Sequence, residues 1–275
     1  MVCMTVLASG SRGNTAVLSS SGTSILIDAG ISCRETLRRM LRAGEDPSKL
    51  SAIVITHEHQ DHVTGLGVLA RRLKIPVYIT GHTHQEWQRW VRGPKTSQSR
   101  LYEDDDKAHL HCCEHFRAGE RFTIGDIEIL PFTIPHDAVD PVGFVFRVEG
   151  LRIGMATDLG YLPASLKMHF RGCDALVLES NHDLEMLRGG PYPWSVKQRV
   201  MSRVGHLSND SLAEFFSTDY DGGAAFLVLA HLSEANNHPE LARQAAERAL
   251  GDRLNLIQNR LVLASQTEPM EVIRF

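Results

Sequence analysis

Short apolar runs separated by polar turns recur along the chain and alternate with segments of helical periodicity. The apolar runs predict strands at 2–7, 15–18, 23–28, 53–56, 77–79, 121–124, 126–132, 142–148, 151–157, 174–179, 225–230 and 270–274. Apolar residues at helical spacing predict helices at 32–40, 63–73, 82–91, 163–170, 194–202, 208–216 and 239–250. Such alternation is typical of an α/β protein.

A polar stretch at 93–120 interrupts this alternation and contains the acidic run EDDD at 103–106. We expect a long surface loop there. The sequence shows no internal repeat, low-complexity tract or interdomain linker. One domain spanning 1–275 is therefore predicted.

Composition narrows the class of protein without identifying it. The chain has 275 residues, 43% hydrophobic and 23% charged, which is ordinary for a globular protein with a large core. A net charge of -4 argues against a protein that coats nucleic acid. It does not argue against a nuclease, because bound metal ions attract phosphate locally.

The location can also be predicted from composition. No apolar run reaches the roughly 18–20 residues that span a bilayer, and the N-terminus lacks the pattern of a signal peptide. The five cysteines are odd in number and show no C-x-x-C spacing. We therefore expect reduced thiols in a cytoplasmic protein without a membrane partner. The sequence does not predict the oligomeric state.

The stretch IVITHEHQDH at 53–62 ends a predicted buried strand with four residues of metal-ligand type, His57, His59, Asp61 and His62. Neutral imidazoles and carboxylates bind zinc and similar divalent ions. Because the strand fixes the first two histidines and the turn brings the other two residues alongside, the pattern offers ligands to two neighbouring ions. Such a pair, about 3.5–4 Å apart, is common in hydrolases.

Three further residues stand at the ends of predicted strands, where ligands of one sheet edge would gather: His136, Asp158 and His231. Seven other histidines lack this setting and are expected to be solvated or to cap helices: His82, His84, His109, His111, His115, His169 and His238. The dense word HLHCCEH at 109–115 is interpreted as a loop, because neighbouring side chains on a regular element point in different directions.

The ordered motifs LIDAG (26–30), THEHQDH (56–62), IPHDAVDPVGF (134–144), ATDLG (156–160) and LAHLS (229–233) resemble the metallo-β-lactamase superfamily over almost the whole chain. That resemblance implies a four-layer αββα sandwich with metals at one edge of the sheets. The motifs ASGSRGN (8–14), LESNHD (178–183), GPYPW (190–194), GHLSN (205–209) and HLSEANN (231–237) resemble its WalJ/YycJ branch. This implies a bacterial cytoplasmic 5′-to-3′ exonuclease acting on the ends of double-stranded DNA.

The resemblance also implies a set of ligands. His57, His59 and His136 would hold one metal, Asp61, His62 and His231 the second, and Asp158 would bridge them. Asp61 is also expected to take part in catalysis, and Asp28 to orient a histidine or the turn from behind. The cofactor would be two divalent transition metal ions, Zn²⁺ or Mn²⁺, with Fe²⁺ as a further candidate.

Phosphodiester cleavage also needs a proton for the leaving oxygen. Glu179 and His206 occupy the places of a Glu–His pair in the superfamily's tRNA-processing branch, and His182 is the competing candidate for the acid. We expect His206 to open a helix, whose dipole would disfavour its charged form. Proposed substrate contacts are Ser9, Ser11, Asn14, Ser233 and Asn236. The basic group chosen for phosphate contacts is Lys197, Arg199 and Arg203.

Other activities of the superfamily were weighed against a DNA nuclease. A β-lactamase is disfavoured because Asp158 stands where that group typically has cysteine. A glyoxalase-II-like thioester hydrolase shares all seven ligands, and only Glu179 and His206 count against it. An RNA-processing nuclease also remains open, although its substrate-gripping arm is not identified. A degenerate scaffold protein would normally lack ligands.

Overall fold

The computed structural model describes residues 1–93, 108–251 and 260–275. The acidic run at 103–106, for which a loop is predicted, lies outside the described residues. No helix in the described ranges combines the length and apolar character that a membrane span requires.

Strands from both halves of the described chain form two seven-stranded sheets. The first sheet contains β1 (Cys3–Ala8), β2 (Thr15–Ser19), β3 (Ser24–Ile27), β4 (Leu50–Val54), β5 (Val77–Thr80), β6 (Cys113–Phe116) and β14 (Ile273–Arg274), in the order β14-β1-β2-β3-β4-β5-β6. The second contains β7 (Phe122–Ile124), β8 (Ile127–Thr133), β9 (Val142–Val148), β10 (Leu151–Ala156), β11 (Ala175–Glu179), β12 (Phe226–Ala230) and β13 (Arg260–Leu263), in the order β13-β12-β11-β10-β9-β8-β7.

Helices lie between the strands and cover both sheets. They are α1 (Cys33–Arg42), α2 (Gln60–Val63), α3 (Leu66–Leu73), α4 (Gly81–Arg92), α5 (Ala164–Phe170), α6 (Leu184–Gly189), α7 (Trp194–Val200), α8 (Asn209–Thr218) and α9 (Pro239–Leu250), with a 3₁₀ turn at Pro47–Lys49. Polar side chains begin several of them: Ser32 accepts from Glu35 N, Thr80 from Thr83 N and Ser208 from Ser211 N. These bonds satisfy amides that have no partner inside the helix.

Adjacent residues of the central strands face different apolar layers, which explains the uninterrupted apolar runs in the sequence. In β3, Ile27 belongs to the cluster between the two sheets, whereas Leu26 belongs to the cluster with Met40 and Trp87 beneath α1 and α4. A third cluster lies between the second sheet and the helices α5, α8 and α9. The three clusters therefore lie between four layers, in the order helices, sheet, sheet and helices, and the predicted αββα fold is confirmed.

Several predicted boundaries are wrong for identifiable reasons. The helix predicted at 63–73 begins at Gln60 and divides after Val63, where the chain at Gly65 packs so closely that a Cβ would lie 2.1 Å from the carbonyl oxygen of Ile31. Part of the predicted loop 93–120 is the edge strand β6, and the strand at 270–274 shrinks to β14. The helix α6 and the strand β13 were not predicted: α6 has only six residues, too few to show helical periodicity, and no strand was assigned to the short run RLVL of β13.

Candidate metal centre

Strand ends at one edge of the two sheets carry the predicted chemistry-bearing residues. β4 leads into His57, β10 into Asp158 and β12 into His231, while Glu179 is the last residue of β11. Because β10, β11 and β12 are parallel neighbours, their carboxyl ends meet at this edge. The loop after β8 brings His136 to the same place.

The turn after β4 fits against the edge because Gly30 leaves room for it. A Cβ at Gly30 would lie only 1.7 Å from the carbonyl oxygen of Asp61. That oxygen accepts from Asn14 N at 2.7 Å, and Gly30 N donates to Asn14 O at 3.0 Å. The glycine of LIDAG therefore lets three segments pack together under the ligand-bearing turn.

Three histidines converge in what we call the three-imidazole group: His57, His59 and His136. Their donor nitrogens lie within 4.8 Å of one another, and His136 Nε2 is 3.2 Å from His59 Nδ1. The other nitrogen of two rings is held from behind, His57 Nδ1 by Thr56 Oγ1 at 3.0 Å and His136 Nδ1 by the Gly205 carbonyl at 3.2 Å. These bonds aim the opposite ring nitrogens into the group.

Four residues form a second group beside it, which we call the carboxylate-rich group: Asp61, His62, Asp158 and His231. Their donor atoms also lie within 4.8 Å of one another. His231 Nε2 is 3.4 Å from Asp61 Oδ2 and 3.3 Å from Asp158 Oδ1. The structure thus brings together the seven residues predicted as ligands.

The fit of these residues to metal ions is supported by two buried atoms. Within the described part of the chain, His57 Nε2 and Asp158 Oδ2 have no hydrogen-bond partner. Asp158 Oδ2 does lie 3.2 Å from His62 Nε2, but without the geometry of a hydrogen bond. Buried polar atoms without partners are costly, and a cation between them removes that cost. The chemistry and the positions of these donors therefore fit divalent metal ions.

Asp28 lies where it was predicted, behind the carboxylate-rich group. One carboxylate oxygen is 2.8 Å from His62 Nδ1, and the other accepts from Thr56 N at 2.8 Å. Thr56 Oγ1 also donates to this carboxylate at 2.9–3.0 Å. Asp28 therefore orients His62 and the start of the turn together, leaving His62 Nε2 to face the group.

Glu179 joins the predicted proton donor to a predicted ligand. Its Oε1 lies 2.7 Å from His206 Nδ1 and 3.1 Å from His231 Nδ1, while Leu159 N donates to Oε2 at 2.8 Å. Glu179 is fully buried. One carboxylate thus orients both imidazoles and leaves the Nε2 atom of each toward the cleft.

Three residues of this site have a left-handed backbone conformation. Asp28, Asp158 and His231 have φ values of 58°, 60° and 55°, and the only other described non-glycine residues with positive φ are Lys74 and Glu149. Strained backbone of this kind concentrates at functional sites because surrounding contacts hold it. Here one such contact is Ser9 Oγ, which accepts from the amide of His231 at 2.7 Å.

The two groups differ in electrostatics. Burial holds the pKa of His57 well below its ordinary value, and nearby His62 lowers it further; burial also lowers the pKa of His136. Burial would lower the pKa of His62 as well, but the carboxylates of Asp158 and Asp28 raise it well above the ordinary value. His57 and His136 therefore present neutral lone pairs, whereas the carboxylates of the other group favour the protonated form of His62.

The Glu179–His206 pair shares a proton in the same manner. Burial opposes the charged form of His206, yet the Glu179 carboxylate raises the pKa of this imidazole. Burial likewise opposes ionisation of Glu179, and the charge and hydrogen bond of His206 lower its pKa to about 2. The expected dipole effect does not apply, because α8 begins only at Asn209, after its N-cap Ser208.

An open cleft of about 310 Å³ lies over both groups. Its lining comprises Ser11, His59, Gln60, Asp61, His136, Asp158, Arg199, His206 and His231. Arg199 contacts the carboxylate of Asp137, and Asp137 in turn lies 3.4 Å from His136 Nε2. Among the described lining residues, the one arginine therefore stands on the side of the three-imidazole group.

Most residues predicted to contact substrate serve the loops instead. Ser9, Asn14, Ser233 and Asn236 are all buried, and only Ser11 lines the cleft. Asn14 Nδ2 lies 3.1 Å from Asp61 Oδ2 and 3.0 Å from His62 Nε2, so it braces the carboxylate-rich group. Ser233 Oγ accepts from the amide of Asn236 at 3.2 Å.

The three basic residues predicted to contact phosphate lie in different environments. Lys197 is buried, and its ammonium donates to the carbonyl of Arg188 at 2.7 Å. The guanidinium of Arg203 lies 4.4 Å from the ring centre of Tyr161. Only Arg199 lines the cleft. Of the three, it alone has the position of a phosphate contact.

Two bracing residues were missed in the sequence. Asn181 Nδ2 donates to the carbonyl of His231 at 2.9 Å and lies 3.2 Å from its Nδ1. Thr56 contacts both Asp28 and His57 through one hydroxyl. Each sits within one or two residues of a predicted site residue, and that proximity was the available signal.

Comparison with known proteins finds a matching family model and several similar proteins. A family model described as "Beta-lactamase superfamily domain" matches residues 23–232. The chain is 37% identical over 248 residues to "Exodeoxyribonuclease YycJ" of Bacillus anthracis, covering 90% of this chain and 89% of that protein. It is 36% identical over 251 residues to "Exodeoxyribonuclease WalJ" of Streptococcus pneumoniae, with the same coverage.

More distant similarities agree on the fold. "Ribonuclease Z" of Thermococcus onnurineus is 30% identical over 139 residues, which cover 48% of this chain and 40% of that protein. The crystal structure of the metallo-β-lactamase fold protein YhfI from Bacillus subtilis matches with a TM-score of 0.70 at 16% identity, covering 98% of both chains. A diphosphatase of the PhnP family matches with a TM-score of 0.64 at 19% identity, again covering 98% of both chains.

Proposed function

The chain belongs to the metallo-β-lactamase superfamily, and within it we propose that it is a metal-dependent phosphodiesterase that degrades double-stranded DNA in the 5′-to-3′ direction. Similarity to two proteins named exodeoxyribonucleases over 90% of the chain supports this proposal. The observation that carries the phosphodiesterase assignment is the pair formed by buried Glu179 and the partly exposed His206 beside the metal-ligand groups.

We propose that the two groups hold two divalent ions, with Zn²⁺ or Mn²⁺ as the first candidates and Fe²⁺ as the next. His57, His59 and His136 would hold one ion, Asp61, His62 and His231 the other, and Asp158 would contact both. Such a pair supplies Lewis-acid polarisation of the phosphate and a water-derived nucleophile at neutral pH.

The protein's own groups would manage the protons. Water forms a new bond to phosphorus, the bond between phosphorus and the leaving oxygen breaks, and His206 gives its proton to that oxygen. Glu179 accepts from His206 Nδ1, which keeps this imidazole charged and turns Nε2 toward the cleft. Asp61, whose side chain is 22% exposed and lines the cleft, would take the proton from water.

A thioester hydrolase would not need this pair, because a thiolate leaves without a proton donor far more easily than an alkoxide does. The partial similarity to proteins named ribonuclease Z makes RNA the second candidate substrate. We also propose a single domain and a cytoplasmic location, in keeping with five free cysteines.

A side-by-side assay would test the proposal. End-labelled duplex DNA, single-stranded DNA, structured RNA and a glutathione thioester would each be incubated with protein loaded with Mn²⁺ or Zn²⁺. We expect fastest release from the 5′ end of duplex DNA. Fast thioester turnover with intact DNA would reject the phosphodiesterase, and preference for RNA would reject only the DNA assignment.

A further inference from the structure

The word HLHCCEH at 109–115, which was predicted to be a loop, contributes its last three residues to the edge strand β6. Side chains alternate along a strand, so Cys113 and His115 share one face, while Glu114 points to the other. Cys112 lies just before the strand on that other side, with its Sγ 3.7 Å from Glu114 Oε1. Only one of the two adjacent thiols therefore faces the same way as His115.

A histidine of α4 meets this face. His84 Nδ1 lies 3.0 Å from His115 Nε2 and 3.5 Å from Cys113 Sγ. The three donor atoms all lie within 4.8 Å of one another. The His84 ring stacks on buried Trp87, with ring centres 6.0 Å apart, so its orientation is fixed by packing.

The spacing and the chemistry of these donors match a tetrahedral ion. With Zn–N bonds of about 2.0–2.1 Å and Zn–S bonds of about 2.3 Å, neighbouring donors of a tetrahedral site lie roughly 3.3–3.6 Å apart. One thiolate and two imidazoles are a soft donor set that favours Zn²⁺ over Mg²⁺ or Ca²⁺. His84 and Cys113 are half-buried and His115 is exposed, which leaves the fourth position open to water.

We propose that His84, Cys113 and His115 form an additional zinc-type metal site, separate from the metal centre at the strand ends. The ion would tie α4 to β6, the short edge strand that pairs with the first sheet through β5. This inference does not depend on the proposed nuclease activity.

Cobalt provides a readout for this site alone. Co²⁺ bound to a thiolate absorbs in the near ultraviolet by charge transfer from sulfur, and the seven residues of the metal centre include no cysteine. We expect this absorption in the full-length protein titrated with Co²⁺. It should disappear in Cys113→Ser and persist in Cys112→Ser, the matched control. It should also persist in Asp158→Ala, which weakens the metal centre.

Metal content and stability give a second measurement. Cys113→Ser and His115→Gln should each bind one zinc ion fewer than wild type and lose the part of the rise in Tm that this ion supplies. Circular dichroism in the absence of metal would check that both variants fold. The proposal is overturned if Cys112→Ser abolishes the cobalt absorption, if wild type shows none, or if folded Cys113→Ser and His115→Gln bind as much zinc as wild type.

Discussion

The three-imidazole group and the carboxylate-rich group lie side by side at one sheet edge, yet they are built differently. The first consists of three imidazoles, and a hydroxyl of Thr56 and a carbonyl of Gly205 brace the rings of His57 and His136. In the second, Asp28 and Glu179 stand behind the histidines, so charge balances charge. One edge therefore offers two groups of candidate metal ligands that differ both in ligand type and in total charge.

This difference has two consequences. Ligand charge strengthens the hold on a cation, so an ion in the carboxylate-rich group should exchange more slowly than its neighbour. A substrate phosphate is an anion, so the carboxylates repel it less on the side of the three-imidazole group, where Arg199 also lies. We infer that one group anchors its ion, whereas the other receives the nucleic acid.

Asp158→Ala is expected to have the largest effect, because it removes the side chain assigned to both positions. We expect both ions to be lost at ordinary metal concentrations and nuclease activity to fall to background. Elemental analysis under metal-replete, chelator-free conditions measures this directly. Asp140→Ala, in the loop that carries His136, is the control and should retain the metals. Retention of one tightly bound ion by Asp158→Ala would show that the carboxylate serves one group only.

Substitution of the proton-donating pair should have the next largest effect. We expect His206→Asn to lower kcat by about 10²–10⁴ with unchanged metal content. Glu179→Gln should lower kcat similarly and also weaken the ion of the carboxylate-rich group, because Glu179 contacts His231. The double variant should be little worse than the worse single one.

The leaving group tests whether the pair donates a proton. A p-nitrophenyl phosphodiester needs little protonation, so it should restore much of the activity of His206→Asn. Failure of this rescue, or additive effects in the double variant, would assign the pair to bracing. His182 would then be the remaining candidate, although burial lowers the pKa of its imidazole to about 4 and leaves it mostly neutral.

Local patterns in the sequence predicted the strands and the ligand-type residues, whereas the four layers were implied by the resemblance to a known family. Buried strands leave apolar runs, and His57 to His62 form one dense word after such a run. The substrate contacts were less predictable, since the polar residues Ser9 and Asn14 look alike whether they face a cleft or a buried loop. Their burial depends on contacts with His231 and Asp61, which are distant in sequence.

The edge strand β6 is a second feature that could not be predicted from the sequence. The word HLHCCEH lacks an apolar period, and its pairing with β5 depends on tertiary contacts. His84 is distant from Cys113 in sequence, so nothing local indicates that they meet. The left-handed backbone of Asp158 and His231 is likewise held by surrounding contacts and leaves no mark in the residue pattern.

Asp28→Asn should have a smaller and more selective effect. It keeps the shape of the side chain but removes the charge behind His62. We expect affinity for the ion of the carboxylate-rich group to fall about 10–100-fold, the usual cost of losing such a partner, and affinity for the other ion to fall less, because Asp28 reaches His57 only through Thr56. Competition with a metal chelator would show two separate transitions in the variant. Equal weakening of both ions would contradict the independence of the two groups.

Arg199→Ala should have the smallest effect and tests where the nucleic acid lies. Arg199 is the arginine among the described residues that line the cleft, on the side of the three-imidazole group. Losing one phosphate contact should raise KM several-fold with little change in kcat, and reduce the slope of log affinity against log salt by about 1. Arg203→Ala is the matched control, because that guanidinium stacks on Tyr161 instead. If Arg203→Ala changes the slope of log affinity against log salt as much as Arg199→Ala does, the substrate does not approach preferentially on the side of the three-imidazole group.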